Sequence, residues 1–283
     1  MAKTRMIISM LIFGTLGIFV HYIPLPSASI VMVRAVVGTI FVAGLMAVTR
    51  QKLNASAVKQ NVVLLLGSGI ALGFNWMLLF ESYRYTTVAV ATLCYYMAPV
   101  FLMLLSPLVL KEPMTKRKAA CICIAIVGAV LVSGAGTGGV SVKGVVLGLA
   151  AAMLYCAIML MNKKLVGLGS METTLIQLAV SALVITPYVF LTGSVGEITL
   201  NILPLLAVVG VLHTGIAYAL YFPSINALPG QTVAVLSYID PISAILLSAL
   251  VLRQPMSGLQ ALGATLLLGA TFVSEWKSGE KEG

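Results

Sequence analysis

Asp240 and Pro241 stand side by side in VAVLSYIDPISAILLSALVL, a run from Val233 to Leu252 whose other polar residues are serines and one tyrosine. Placed eight or nine residues into a helix that begins near residue 231, the carboxylate lies about 13 Å from the helix start at ~1.5 Å per residue. That is close to the midplane of a bilayer. A charge at that depth costs about 2.5–3.5 kcal/mol on insertion scales, so such a group faces a cavity or a partner. Pro241 removes a backbone N–H and bends the helix, which frees carbonyls of the preceding turn. Asp240 can attract a cationic group of a substrate. It can take up a proton and couple movement of a solute to a proton gradient. Its structural alternative is to bond a neighbouring helix.

Other residues at similar depth extend this chemistry. Asn75, Trp76, Tyr95, Tyr96, Tyr155, Tyr218 and Ser237 are polar or aromatic groups within apolar runs. Aromatic walls with sparse polar groups suit an amphipathic small molecule, and these residues with Asp240 form the candidate substrate-binding set. Packing between helices is the alternative for each tyrosine. His213 reads as a hydrogen-bonded helix contact. Arg34 lies about seven residues into its run; it is expected to snorkel to the interface or to pair with Glu81, with an anionic substrate as the further option. At a shift of 143 residues, one more than in the stretch aligned below, its counterpart in the repeat is Gln177, and a polar residue at both places favours a structural role. The sequence contains neither HExxH nor G-x-S-x-G, and no helix face carries paired carboxylates, so enzymatic activity is not expected. No metal or cofactor is expected either. GAGTGG at 134–139 matches G-x-G-x-x-G but follows an apolar helix rather than a strand, which excludes the dinucleotide reading.

These residues need helices to hold them. The 283-residue chain is 60% hydrophobic and 9% charged, with a mean hydropathy of +1.08; a soluble protein carries about 25% charged residues. Ten apolar segments are expected as transmembrane helices: roughly 6–22, 28–49, 61–80, 87–110, 117–134, 144–162, 173–192, 202–222, 231–252 and 258–275. Each approaches the ~20 residues that cross a bilayer. The runs do not alternate, which argues against a β-barrel. The N-terminal run resembles a leader but fits as the first span. The four cysteines, Cys94, Cys121, Cys123 and Cys156, lie within apolar runs and read as buried thiols.

The net charge of +9 sits in short loops, which excludes a nucleic-acid partner. With the N-terminus inside, thirteen Lys and Arg fall on the inner side and three on the outer, placing both termini in the cytoplasm. A shift of 142 residues lays AVATLCYYMAPVFLMLLSPLVLKEPM (89–114) over QTVAVLSYIDPISAILLSALVLRQPM (231–256), with ten of twenty-six positions identical, Tyr96/Tyr238 and Pro99/Pro241 among them. Two five-helix halves follow: 1–134 and 144–275, joined by an outer link at 135–143 and followed by a cytoplasmic tail at 276–283. Five is odd, so the second half enters inverted, an arrangement found in secondary transporters. The expected fold is an all-α integral membrane protein of ten helices in two inverted repeats. Pro99 and Pro241 are the candidate hinges, and one half is expected to rock against the other.

The paired stretches MAPVFLMLLSPLVLKEP and IDPISAILLSALVLRQP resemble the drug/metabolite transporter superfamily, specifically its ten-helix EamA-type members. The second turn, Arg253-Gln254-Pro255, departs from the acidic residue common there, which the first half has as Glu112. The resemblance implies secondary transport of small metabolites, often outward. Asp240 tilts the expected substrate towards amino acids or related amines, moved by alternating access with proton coupling as an option. Cation or drug efflux is the alternative, as is a non-transporting scaffold or a protein that handles lipid intermediates. The expected setting is the lipid bilayer of a bacterial cytoplasmic membrane, with the chain a monomer or homodimer.

Overall fold

The computed structural model describes residues 1–111, 113–133, 141–192 and 198–276. Glu112, the GAGTGG stretch, most of the expected link and the tail from 277 lie outside them. Among the described residues all regular structure is helical. In chain order the first half holds α1 (Ala2–Tyr22), α2 (Ser27–Val48), α3 (Ala55–Gln60), α4 (Val62–Tyr85), α5 (Val88–Tyr95), α6 (Ala98–Val109) and α7 (Lys116–Val132). The second holds α8 (Val142–Asn162), α9 (Ser170–Leu191), α10 (Leu203–Ala207), a π-helical segment (Val208–Ile216), α11 (Ala217–Ala227), α12 (Gly230–Ser237), α13 (Ile239–Leu250) and α14 (Gly258–Trp276). All ten expected segments are helical. Among the described residues seven stretches are long and apolar enough to cross a membrane, and Val235–Leu250 and Gly258–Ser274 are shorter apolar helices. α7, 17 residues long, opens on Lys116, Arg117 and Lys118.

Local chemistry sets the helix starts. Thr87 caps α5 by accepting from Val90 N (3.2 Å), and Thr115 caps α7 by accepting from Lys118 N (3.2 Å). Such caps satisfy N–H groups that have no partner inside the helix. Two corresponding spans are each broken in the middle. α5 gives way to α6 at Tyr96–Met97, and α12 gives way to α13 at Tyr238. Pro99 and Pro241 follow their breaks closely, in the first turn of the new helix, where a missing N–H costs least. Lys111 and Arg253, 142 residues apart, both adopt left-handed backbone, with φ of 57° and 53°. Gln254 supplies a turn contact of its own: its Oε1 accepts from Val88 N at 3.1 Å and from Ser248 Oγ at 3.0 Å.

The packing has twofold character. Exchanging α1 with α8, α2 with α9, α4 with the α10–π–α11 rod, α5–α6 with α12–α13 and α7 with α14 maps the main helix contacts onto one another. α8 packs on α4, α5 and α6, and α1 packs correspondingly on α11 and α13. α2 meets α9, α5 meets α13, and α7 meets α14. The halves are therefore interleaved: the first helix of each is seated among helices of the other.

Glycines allow the closest approaches. A Cβ on Gly128 would stand 2.7 Å from the Gly263 carbonyl oxygen, and one on Gly263 would stand 2.6 Å from that of Gly128. Mutual small residues of this kind let helix backbones touch. Gly144 and Gly148 of α8 do the same against Thr86 and Cys94. Gly128→Val or Gly263→Val should cost about 1–3 kcal/mol through overpacking and lower the thermal unfolding midpoint in detergent. Gly269→Ala, which meets nothing within 4 Å, should leave it unchanged. Equal effects at the three sites would contradict the packing of α7 on α14.

Candidate functional site

A cavity of about 490 Å3 occupies the centre of the helical assembly, within the ~300–1,000 Å3 usual for small-molecule sites. Residues of α1, α2, α4, α5, α8, α9, α11 and α13 line it. It runs from the buried Arg34, Trp76 and Tyr83 to Asn162 and Ser170, which are exposed at the α8–α9 turn beside Lys163 and Lys164. Beyond Tyr83 lies a second cavity of about 260 Å3, reaching His21 and Arg84. Tyr83 borders both cavities and is 8% exposed. The turn at the mouth is held in place. Asn61 Nδ2 donates to Val166 O at 2.9 Å, and its Oδ1 accepts from Val166 N at 3.2 Å. Glu172 accepts from Gly169 N at 2.8 Å and from Asn54 N at 2.7 Å.

The helix breaks place the carboxylate. Tyr96, in the first break, donates its hydroxyl to Asp240 Oδ2 at 2.8 Å. Asp240 stands in the first turn of α13, just after the second break. Tyr96 is its only hydrogen-bond donor among the described residues. The sequence counterparts differ: Tyr238 packs edge-on against Phe272, with centroids 5.4 Å apart, and Ala98 takes the place of Asp240. Gly14 makes room for this arrangement. A Cβ there would stand 1.9 Å from Ser243 Oγ and 2.8 Å from the Asp240 carbonyl oxygen.

Aromatic rings form the walls. Tyr95 stacks on Tyr155 with centroids 5.2 Å apart and lies edge-on to Tyr96 at 6.3 Å. Phe13 meets Tyr218 at 5.7 Å and Tyr221 at 6.1 Å. At the buried end the Arg34 guanidinium lies 4.0 Å from the centre of the Trp76 ring. Arg34 is 3% exposed, and its Nε donates to Thr214 Oγ1 at 3.1 Å. This corrects the expectation of a snorkelling or Glu81-paired arginine. Glu81 instead accepts from Ser27 Oγ at 2.8 Å and lies 3.7 Å from Arg84. The π segment positions Thr214. In this winding, His213 Nδ1 and Thr214 Oγ1 meet carbonyls five residues back, those of Val208 (3.2 Å) and Val209 (3.4 Å). His213 also pairs with Thr15 Oγ1 at 2.8 Å, joining the rod to α1.

Of the candidate set, Asp240, Trp76, Tyr95, Tyr96, Tyr155 and Tyr218 line the cavity. Asn75 and Ser237 stand outside the lining. Asn75 is fully buried; its Nδ2 donates to Ala151 O at 2.5 Å, and its Oδ1 accepts from the Tyr95 hydroxyl at 3.4 Å. It orients Tyr95 from behind. Ser237 Oγ donates to Val233 O at 2.8 Å within its own helix. Arg34, Tyr83, Tyr221 and Gln177 join the lining without having been in that set. For Arg34 the clue was a charge well inside an apolar run.

The model of the EamA-like transporter family matches residues 4–134 and again residues 142–275. The chain belongs to the EamA-like transporter family. A Bacillus subtilis (strain 168) protein called "Uncharacterized transporter YxxF" is 30% identical over 87% of this chain and 80% of its own. "Protein PecM" of Dickeya dadantii (strain 3937) is 26% identical over 77% and 80%. A Salmonella typhimurium (strain LT2) protein named "Probable amino-acid metabolite efflux pump" is 24% identical over 76% and 77%. A solved structure titled "Crystal structure of protein" superposes with a TM-score of 0.67 over 100% of this chain and 99% of that one. Its 19% identity makes it a likeness of fold. This family member is a multi-pass membrane protein of the transporter class.

The contact of α1 with α13 yields a test. Gly14→Ala should push Ser243 and the Asp240 backbone away, at a cost of about 1–3 kcal/mol, seen as a lower unfolding midpoint. Ser243→Ala in the same chain should recover part of the loss, because it removes the nearest atom. A Gly14→Ala protein as stable as the parent would contradict the contact.

Proposed function

We propose that this transporter is a secondary exporter of small amine-bearing metabolites, amino acids first among them, working by alternating access. The observation that carries the reading is a cavity between the two halves with a carboxylate inside, held by a tyrosine of the opposite half. In this reading all ten helical segments cross the membrane, the halves are inverted, and both termini are cytoplasmic. The cavity then faces the cytoplasm through the α8–α9 turn, where an exporter loads. The name of the Salmonella relative is consistent with such a substrate.

Asp240 gives the chemistry. A carboxylate in a cavity that must close before it reopens on the other side makes that passage more readily when neutralised, since moving a bare charge through an apolar core is costly. A proton and a substrate ammonium both neutralise it, and both compete for it. Exchange of one for the other couples outward movement of the amine to inward movement of protons. The interleaved packing supports two moving bodies that each mix the halves, in place of one half rocking against the other: α8 with α4–α6, and α1 with α11–α13. Pro99 and Pro241 lie at the breaks in the two broken spans and are the proposed hinges.

Purified protein in liposomes tests this, with pools of amino acids, amines and quaternary ammonium compounds. The wild type should move a solute faster with an opposing pH gradient. Asp240→Asn should lose that acceleration, by about tenfold or more if one charge-assisted contact is lost. Acceleration retained in full by Asp240→Asn would overturn the role of the carboxylate.

A further inference from the structure

We infer that the transported solute carries a carboxylate as well as an amine, and that Arg34 is the group that binds the carboxylate. This rests on the transport reading and narrows its substrate.

Arg34 projects from an apolar helix into the buried end of the cavity. A guanidinium has five N–H donors and no acceptor. Among the described residues only its Nε finds a protein acceptor, Thr214 Oγ1. No carboxylate of a described residue lies within ion-pair distance. Trp76 supports the face of the guanidinium, and a ring at that distance attracts a cation without using its N–H groups. The terminal nitrogens are left for something in the cavity.

The other half provides the comparison. Gln177 is the counterpart of Arg34 and also lines the cavity. Its Nε2 donates to Ser68 Oγ at 2.8 Å and to Asn162 Oδ1 at 2.7 Å. A polar residue that serves packing at this position therefore bonds to protein through its terminal amide. Among the described residues Arg34 bonds through Nε alone and has no carboxylate at ion-pair distance, an arrangement that is strongly unfavourable for a buried charge unless something balances it.

The class of the balancing group follows from charge and shape. Among the described residues Arg34 is the only Lys or Arg in the lining, which suits a singly charged anion better than a phosphate monoester. A planar fork of donors matches a carboxylate bidentately. With Asp240 as the second pole, the cavity suits a zwitterion whose side chain lies against tyrosine. A solute bearing only positive charge meets repulsion from Arg34. This favours amino acids over quaternary ammonium ions and over amines that lack a carboxylate.

The test is thermal unfolding of the purified protein with three pools at equal concentration: L-α-amino acids, the primary amines formed by their decarboxylation, and quaternary ammonium ions. Transport of the same pools in proteoliposomes is measured in parallel. The amino-acid pool should raise the wild-type midpoint and the other two should not. For Arg34→Gln, the concentration giving half of that rise should increase about tenfold or more, the loss expected for one bidentate ion pair. Arg34→Lys, which keeps the charge without the fork, should fall between them and guards against a glutamine variant that fails to fold. Stabilisation and transport of amines or quaternary ions, without amino acids, would leave the transport reading standing and overturn the carboxylate site. An unchanged amino-acid response in Arg34→Gln would overturn it too. If no pool is moved and none shifts the midpoint, the transport reading falls and this inference falls with it.

Discussion

The hydrogen bond from Tyr96 to Asp240 joins the two halves at the breaks in two corresponding helices. Within a bilayer, backbone outside a helix is tolerated only where protein or a water-filled cavity covers it. The two breaks consequently have to face inward, with α5 packed on α13. Much else depends on that juxtaposition. Gly14 allows α1 to approach α13, and Asn75 holds Tyr95 in place from behind. The stacked Tyr95–Tyr155 pair lines the cavity that the breaks open. A chain without the breaks would bring two apolar rods together and leave Asp240 without its donor.

The two halves share an architecture and divide the chemistry. Where one has Ala98 the other has Asp240. Where one has Gln177, closed by two protein bonds, the other has Arg34, whose terminal nitrogens meet no acceptor among the described residues. α4 is a regular α-helix, whereas its counterpart winds as a π helix through Val208–Ile216. Such winding is uncommon and is frequently found at functional sites. Here it presents His213 to α1 and Thr214 to Arg34. Symmetry supplies the frame, and the departures from symmetry supply the groups able to bind or carry charge.

Much of this was legible in the sequence because bilayer constraints are severe. Continuous apolar runs could become little except helices, and the 142-residue shift paired Pro99 with Pro241, where both spans break. The depth of Asp240 pointed to a cavity or partner, and both are present. The rest depended on direction around a helix, which spacing alone does not reveal when a run is apolar on every side. Asn75 is adjacent to Trp76, yet it turns to the Ala151 carbonyl while Trp76 lines the cavity. Ser237 satisfies itself within its own turn. Arg34 was expected at the interface because a long side chain can reach water; Trp76 and Thr214 instead hold it inside. Nothing local in VVGVLHTGI announces a π winding, which appears only with the contacts of His213 and Thr214.

A cavity that opens to one side of the membrane at a time can be probed by its access to a thiol reagent. With Cys94, Cys121, Cys123 and Cys156 replaced, a single cysteine at Thr174 on the cavity wall can be exposed to a membrane-impermeant thiol reagent in vesicles of known orientation. It should react from the side bearing the α8–α9 turn, and a transported solute supplied from the opposite side should slow this reaction. Reaction from both sides at once in the resting protein would indicate an open channel, and would contradict a cavity reached from one side at a time.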